Sequence, residues 1–435
     1  MPETILSGAL DFRTERPLDS HLSGLSRSLR GSIILGIAAE VRELQATGKP
    51  VCNLTVGDFD PRQFPIPTGL QDRLAEALAG GETNYPPSDG LLTLRQAITE
   101  YLRREYGVEY PVSSVLVTAG GRPAIYAIFR CVVDPGEVVL YSVPSWNNDY
   151  YAEMIEARKV AVLASAANRF QPVLADFRPH LQDATLLCLC SPGNPTGTVM
   201  DGETAAEILR AVVAENRRRK GRKPLFVLFD IMYGSLLQEG GDSYHPLALV
   251  PEAAPWVITV DGISKAFAAT GLRVGWTLGA PAVIARMKDF LGHVGAWAPR
   301  PEQLATAGFL RDPEGIAEFR AEMSRRLGER LSALYQGFTV MKQEGLPVDC
   351  VRAQGAMYLS LRVDLVGRRW RGQTIPDNDA LRKLLLNEAG LAVVPFQAFG
   401  VPDHTGWFRL SVGAVSVDDI RQMLGRVRTL LASSE

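Results

Sequence analysis

The chain has 435 residues, 46% of them hydrophobic and 22% charged, an ordinary globular composition with length for a large core and more than one domain. A formal net charge of -2 offers nothing to nucleic acid or to an anionic membrane surface. Five scattered cysteines (Cys52, Cys131, Cys188, Cys190, Cys350) lack metal-ligand or disulfide-framework spacing, and no apolar stretch approaches the roughly 20 residues of a membrane helix.

The N-terminus, MPETILSGALDFRTERPLD, carries acidic residues and no apolar h-region, so it does not read as a signal peptide, and the reducing cytoplasm is the expected compartment. Residues 1–30 are polar and mixed, and read equally as an arm against a partner subunit or as a frayed tail. The central third then alternates short apolar runs with helical patterns, which predicts βαβ units and a largely parallel sheet. Expected strands run from Ser114 to Ala119, Glu137 to Ser142, Thr185 to Cys190, Pro224 to Asp230 and Trp256 to Gly262. They are short, rich in Val, Leu and Ile, and suited to burial on both faces. PAIYAIFRCVV and ETAAEILRAVVAENRRRK read as helices between them. After Arg311 a long amphipathic stretch leads into a smaller C-terminal domain with AMYLSLRV and WFRLSVG as strands. The five histidines form no HxxxH or HExxH pattern, which argues against a metal hydrolase.

Ligands of open α/β sheets collect beyond the carboxyl ends of the strands, and these strands end in unusual residues there. SVLVTA runs into Gly120, Gly121 and Arg122, where backbone N–H groups opening a helix suit a phosphate; a plain glycine turn fits the same residues. EVVLYS is followed by Trp146, either a stacking partner for a planar ring or a core or interface aromatic. TLLCLC ends in SPGNPTG, where Asn194 fits turn chemistry as well as ligand contact. PLFVLF ends in Asp230, with Tyr233 three residues on; a carboxylate there either meets a cation or caps a helix. WVITVDGIS delivers Lys265 among small residues, with Arg273 eight positions later. A lysine can snorkel to solvent, but one in a confined, partly desolvated pocket has a lowered pKa, as Schiff-base chemistry requires. Phosphate cradle, ring stacker, amide, carboxylate, lysine and arginine together make up the set of groups that pyridoxal 5′-phosphate (PLP) needs.

At these residues the sequence resembles the fold-type I PLP-dependent enzymes, and within them the class I/II aminotransferases related to aspartate aminotransferase. LTVGDFDP, NYPPSDGLLTLRQAI, VTAGGRPA, PSW, SPGNPTG, FDIMY, SKAFAATGLRVGW and FRLSVG follow in family order from about Leu54 to Gly413. The resemblance implies an α/β fold: a large PLP-binding domain over residues 61–310 with a mostly parallel central sheet flanked by helices, and a smaller α+β domain. The latter would comprise residues 311–435 with part of 1–60, whose beginning would be the N-terminal arm. It implies that Lys265 holds the cofactor covalently and then moves protons, that Asp230 pairs with the pyridine nitrogen, and that Tyr233 and Asn194 meet the phenolic oxygen. Trp146 would stack on the ring. Arg273, Ser264 and the backbone of Gly120, Gly121 and Arg122 would hold the phosphate. Tyr85 would reach the phosphate of the neighbouring subunit, which implies a homodimer with shared sites. Arg409 would fork the substrate α-carboxylate, helped by Asn194 and the Gly57 backbone.

Two positions depart from relatives: Gly262 stands where a phosphate-binding serine is common, and Ile231 where an acidic residue is. In one bacterial group of aspartate aminotransferases the third residue of the phosphate turn is basic and reads a distal carboxylate. Arg122 has that position, with solvent or an ion pair as the other reading, and Arg300 is a second candidate. The expected reaction moves an amino group from an L-amino acid, dicarboxylic or aromatic, to a 2-oxo acid such as 2-oxoglutarate. Elimination, replacement or decarboxylation on the same scaffold is the alternative. A PLP-binding regulator finds no appended helix-turn-helix, and a nicotinamide dehydrogenase no GxGxxG after a strand.

Overall fold

A computed structural model describes Leu10, Phe12, Thr14 and residues 17–433; the remainder of the expected N-terminal arm lies outside the described residues. The apolar runs of the central third become seven strands of one sheet. These are β1 (Val115–Thr118), β2 (Val138–Val143), β3 (Arg158–Leu163), β4 (Ala184–Cys190), β5 (Phe226–Asp230), β6 (Val257–Gly262) and β7 (Gly275–Leu278). Their order is β1-β7-β6-β5-β4-β2-β3. Neighbours from β6 through β5, β4 and β2 to β3 run parallel. β7 runs antiparallel to both β1 and β6. The sheet is therefore mostly parallel, with helices on both faces covering strands that are apolar all round.

The helix α1 (Gly121–Val132) leaves the end of β1 and buries Ile125, Ile128 and Phe129 on one face of the sheet. On the other face α2 (Gly202–Arg219), capped by the Asp201 side chain on the Thr204 N–H, packs Ile208, Leu209 and Val212 against Leu187 and Phe229. The expected strand after Arg222 begins two residues late, at Phe226, because Pro224 has no N–H to give a ladder.

The stretch after Arg311 is one helix, α3 (Pro313–Gln343), with Asp312 as its cap on the Gly315 N–H at 2.9 Å. It covers an antiparallel sheet formed by β8 (Val348–Val351), β9 (Tyr358–Val363), β10 (Val394–Pro395) and β11 (Trp407–Ser411), in the order β10-β11-β9-β8. Cys52, Leu54, Phe59 and Phe64 join this second core, and Cys52–Asn53 pairs with Leu391–Ala392. The segment just before residue 61 thus packs with the C-terminal part of the chain. Among the described residues no helix is long and apolar enough to cross a membrane.

Candidate active site

The expected groups meet where the carboxyl ends of β1, β4, β5 and β6 face the second core. At the end of β1 the Thr118 hydroxyl donates to Gly120 O at 2.8 Å, and Gly120 turns at φ 85° into α1. A side chain there would collide with the Arg273 guanidinium. Arg273 donates to Ala119 O (2.9 Å) and Thr270 O (2.6 Å), so its planar group is held beside the Gly120–Gly121 backbone. Ser264 is buried in the same turn region, one residue before Lys265.

Lys265 leaves a short helical turn after β6 and donates from Nζ to Gly57 O at 2.5 Å. Burial lowers its pKa to about 8; Arg409, Arg273 and Arg122 push the same way, and Asp58 opposes them. Asp230 ends β5. Among the described residues its carboxylate accepts one hydrogen bond, from the Met232 N–H at 3.0 Å, and protein packed around it raises its pKa to about 6. No cation pairs with it among the described residues, although a carboxylate in such surroundings calls for one.

Asn194 joins both halves. Its Oδ1 accepts from Arg409 Nη1 at 3.1 Å, and its Nδ2 donates to the Tyr233 hydroxyl at 3.3 Å. Arg409, on β11, is 2% exposed and donates from Nη2 to Thr55 O at 2.5 Å, while its Nε has no hydrogen-bond partner among the described residues. Gly57 lies against it: a Cβ there would come within 3.7 Å of Nη1. Arg122 is exposed, with its guanidinium 4.7 Å from the Trp146 ring centroid. The basic group is therefore at the site's mouth, beside the aromatic. Tyr85 is 83% exposed and edge-on to Trp297 at 5.5 Å, so it is not gathered with the others in this chain. Arg300, the second candidate for a distal carboxylate, pairs with Glu82 at 2.5 Å.

The two departures have structural settings. A Cβ at Gly262 would stand 2.7 Å from Val274 O and 2.8 Å from Gly275 Cα, so there is no room for a serine. Ile231 is buried in the apolar cluster under α2. Sequence reasoning missed Asp58, which accepts from the Thr270 hydroxyl at 2.6 Å and opposes the arginines at Lys265. It also missed Tyr358, whose hydroxyl lies 2.8 Å from that of Tyr233. A phenol in the otherwise apolar start of AMYLSLRV was the available signal.

Lys265, Arg122, Arg273 and Arg409 thus surround one site, and none has a carboxylate within ion-pair distance among the described residues. A site so cationic suits a ligand with several anionic groups. PLP carries a phosphate, an aldehyde and a basic ring nitrogen; the donors fit it, with an amine near neutrality, a cationic turn and a lone carboxylate. Among the described residues no cluster of His, Cys, Asp or Glu could hold a metal.

Fold and site together define a PLP-dependent transferase of fold type I. The family model for aminotransferase class I and II matches residues 49–427, and the chain belongs to that family. Relatives include an aspartate aminotransferase of Streptomyces avermitilis, 32% identical over 97% of this chain and 98% of its own length. An aspartate/prephenate aminotransferase of Thermus thermophilus is 31% identical over 94% and 99%. Among solved structures, an aspartate aminotransferase from Rhizobium meliloti superposes with a TM-score of 0.86 at 25% identity, covering 95% of this chain and 99% of that one. The Thermus thermophilus aspartate aminotransferase with maleate gives 0.83 at 29% identity, covering 94% and 99%. The protein is a PLP-dependent aminotransferase.

Proposed function

We propose that this aminotransferase takes its amino group from L-aspartate or a similar dicarboxylic L-amino acid and passes it to 2-oxoglutarate, in a cytoplasmic homodimer whose two sites are shared. The observation that carries the donor class is Arg122, a guanidinium with no carboxylate partner among the described residues, at the mouth of a site whose floor already holds Arg409. Two arginines at two depths suit a substrate with two carboxylates. The relatives named above as aspartate aminotransferases, one of them solved with a dicarboxylate, support the same class. The five cysteines are free thiols, as in a reducing compartment. The domain limits of the reading are 1–60 for the arm and part of the small domain, 61–310 for the large domain and 311–435 for the rest.

PLP, when bound, supplies an electron sink for the pair left on the substrate Cα. Lys265 is the covalent anchor and then the base at Cα, a task for which a pKa of about 8 suits it near neutral pH. Asp230 holds the ring nitrogen's proton, and that cation in turn restores the carboxylate's charge, which burial alone disfavours. Tyr233 and Asn194 would donate to the phenolic oxygen, and Trp146 would stack on the ring. Arg273, Ser264 and the Gly120–Arg122 backbone would hold the phosphate, joined by Tyr85 from the second chain. Arg409 would fork the α-carboxylate, beside a bare Gly57 at which a Cβ would stand 2.9 Å from the Tyr358 hydroxyl. Exposed Leu18, Leu22, Ile33, Leu35 and Tyr85 supply apolar surface for a second copy.

The test is a panel of amino donors with 2-oxoglutarate, run on wild type and Arg122→Ser. Loss of one charge-assisted fork is expected to lower kcat/KM for L-aspartate by roughly 10- to 100-fold, and for L-alanine or L-phenylalanine by less than about threefold. An equal loss for all donors would assign Arg122 to the phosphate or the fold. Consumption of donors with no L-glutamate formed from 2-oxoglutarate would overturn the reaction itself.

A further inference from the structure

Tyr358 lies outside every role given so far, yet it touches two of the groups on which the proposed function rests. Its hydroxyl is 2.8 Å from the Tyr233 hydroxyl, and the two rings meet edge to face at 5.5 Å. Its ring face lies 4.8 Å from the Arg409 guanidinium carbon, and the Phe399 ring stands 5.0 Å from the same carbon. Arg409 is thus held between two aromatic faces, in addition to its bonds to Asn194 and Thr55. The contacts close a loop: Arg409 to Asn194, Asn194 to Tyr233, Tyr233 to Tyr358, and the Tyr358 ring back to Arg409. Tyr358 comes from β9, and Tyr233 from the turn that follows β5, whose last residue is Asp230; both side chains are buried in the second core.

We propose that Tyr358 is a positioning residue that couples the cofactor side of the site to the substrate-carboxylate side, its hydroxyl donating to Tyr233 and its ring steadying Arg409. A hydroxyl has one proton and two lone pairs. With the Tyr233 O–H directed as a hydrogen-bond donor to the cofactor's phenolic oxygen, the short contact between the two phenols would persist only with Tyr358 as the donor. A donor behind a donor polarises it, by about 10–30% per bond. Tyr233 therefore holds the phenolic oxygen's negative charge better with Tyr358 in place than without it. The ring has a separate function, because a desolvated guanidinium over an aromatic face loses a favourable contact when that face is removed.

Two substitutions separate the two functions. Tyr358→Phe keeps the ring and removes the hydroxyl; Tyr358→Leu removes both. The first measurement is a spectrophotometric pH titration of the holoenzyme without substrate, reading the midpoint of the bound cofactor's visible band. The second is the KM for L-aspartate. Because Tyr233 stabilises the anionic oxygen, weakening it shifts the midpoint upward. Tyr358→Phe is expected to raise it by roughly 0.2–0.6 pH unit, the share that polarisation contributes to a charge-assisted hydrogen bond, while the KM stays within about twofold. Tyr358→Leu is expected to raise the midpoint likewise and the KM by roughly 5- to 30-fold. Tyr233→Phe is the reference, with the largest upward shift. If Tyr233→Phe shifts the midpoint and Tyr358→Phe does not, the coupling is wrong and the role of Tyr233 stands. An unmoved midpoint in Tyr233→Phe would remove that role and the inference resting on it together. Equal rises in KM for the Phe and Leu variants would mean that the ring does not steady Arg409, and would overturn that half of the inference.

Discussion

Burial brings the Lys265 amine down to about 8, so at pH 7 it is still mostly charged but loses its proton well before an ordinary lysine does. Only the neutral amine attacks an aldehyde. The sign follows: for a lysine with a lowered pKa the reactive form grows with pH up to about 8 and is saturated above it. Capture of PLP by the apoprotein is therefore expected to accelerate about tenfold between pH 6 and 7 and about fivefold between pH 7 and 8, then level off. Stopped-flow absorbance measures this, with Lys265→Ala as the variant that gives no covalent band. A rate that keeps rising through pH 10 would mean that the amine is an ordinary solvated one. Lys265, Asp230 and Arg273 were legible in the sequence because each follows a recognisable apolar run at short distance. Gly57 O, the lysine's hydrogen-bond partner, lies 208 residues away, and nothing in local spacing encodes such a meeting.

Strands buried on both faces announce themselves as apolar runs, which is why β1, β2, β4, β5 and β6 appeared in the sequence within two residues of their observed limits. β3 did not, because Arg158–Leu163 is an edge strand with exposed positions and carries charge at Arg158 and Lys159. β7 is only four residues long and hidden within the Lys265–Arg273 motif region's tail, where GLRVGW drew attention for its arginine. Its antiparallel course between β1 and β6 makes Gly262 face Gly275 across the ladder. Gly262 has an extended backbone that any residue could adopt, so space alone limits it. Replacing Gly262 by the serine common in relatives would force its Cβ against Val274 O and Gly275 Cα. Gly262→Ser is expected to cost about 1–3 kcal/mol, the range for overpacking, read as a lower urea midpoint at unchanged slope, without tighter PLP binding. Unchanged stability with tighter binding would show that the ladder yields and the phosphate site had lacked only a hydroxyl.

At the scale of the molecule the open question is whether one chain makes a whole site. Gly57, Arg409 and Tyr358 come from segments that pack with the second core, and Asp230, Lys265 and Arg273 from the large sheet, so a single chain brings most of the groups together. Tyr85 is the exception, at the surface beside Trp297. In a two-fold dimer a residue that serves the other chain's site does so reciprocally. A heterodimer of Tyr85→Ala and Lys265→Ala chains then has one site that lacks both groups and one that lacks neither. On the proposed roles each homodimer is expected to be strongly impaired, the first for want of a phosphate donor and the second for want of the amine. Random reassortment makes half the dimers mixed, each with one complete site, so mixing the two proteins and allowing exchange is expected to restore about a quarter of wild-type activity per dimer. Activity that stays at the mean of the two parents after exchange, with mixed dimers detected by native mass spectrometry, would assign Tyr85 to its own chain and end the case for shared sites.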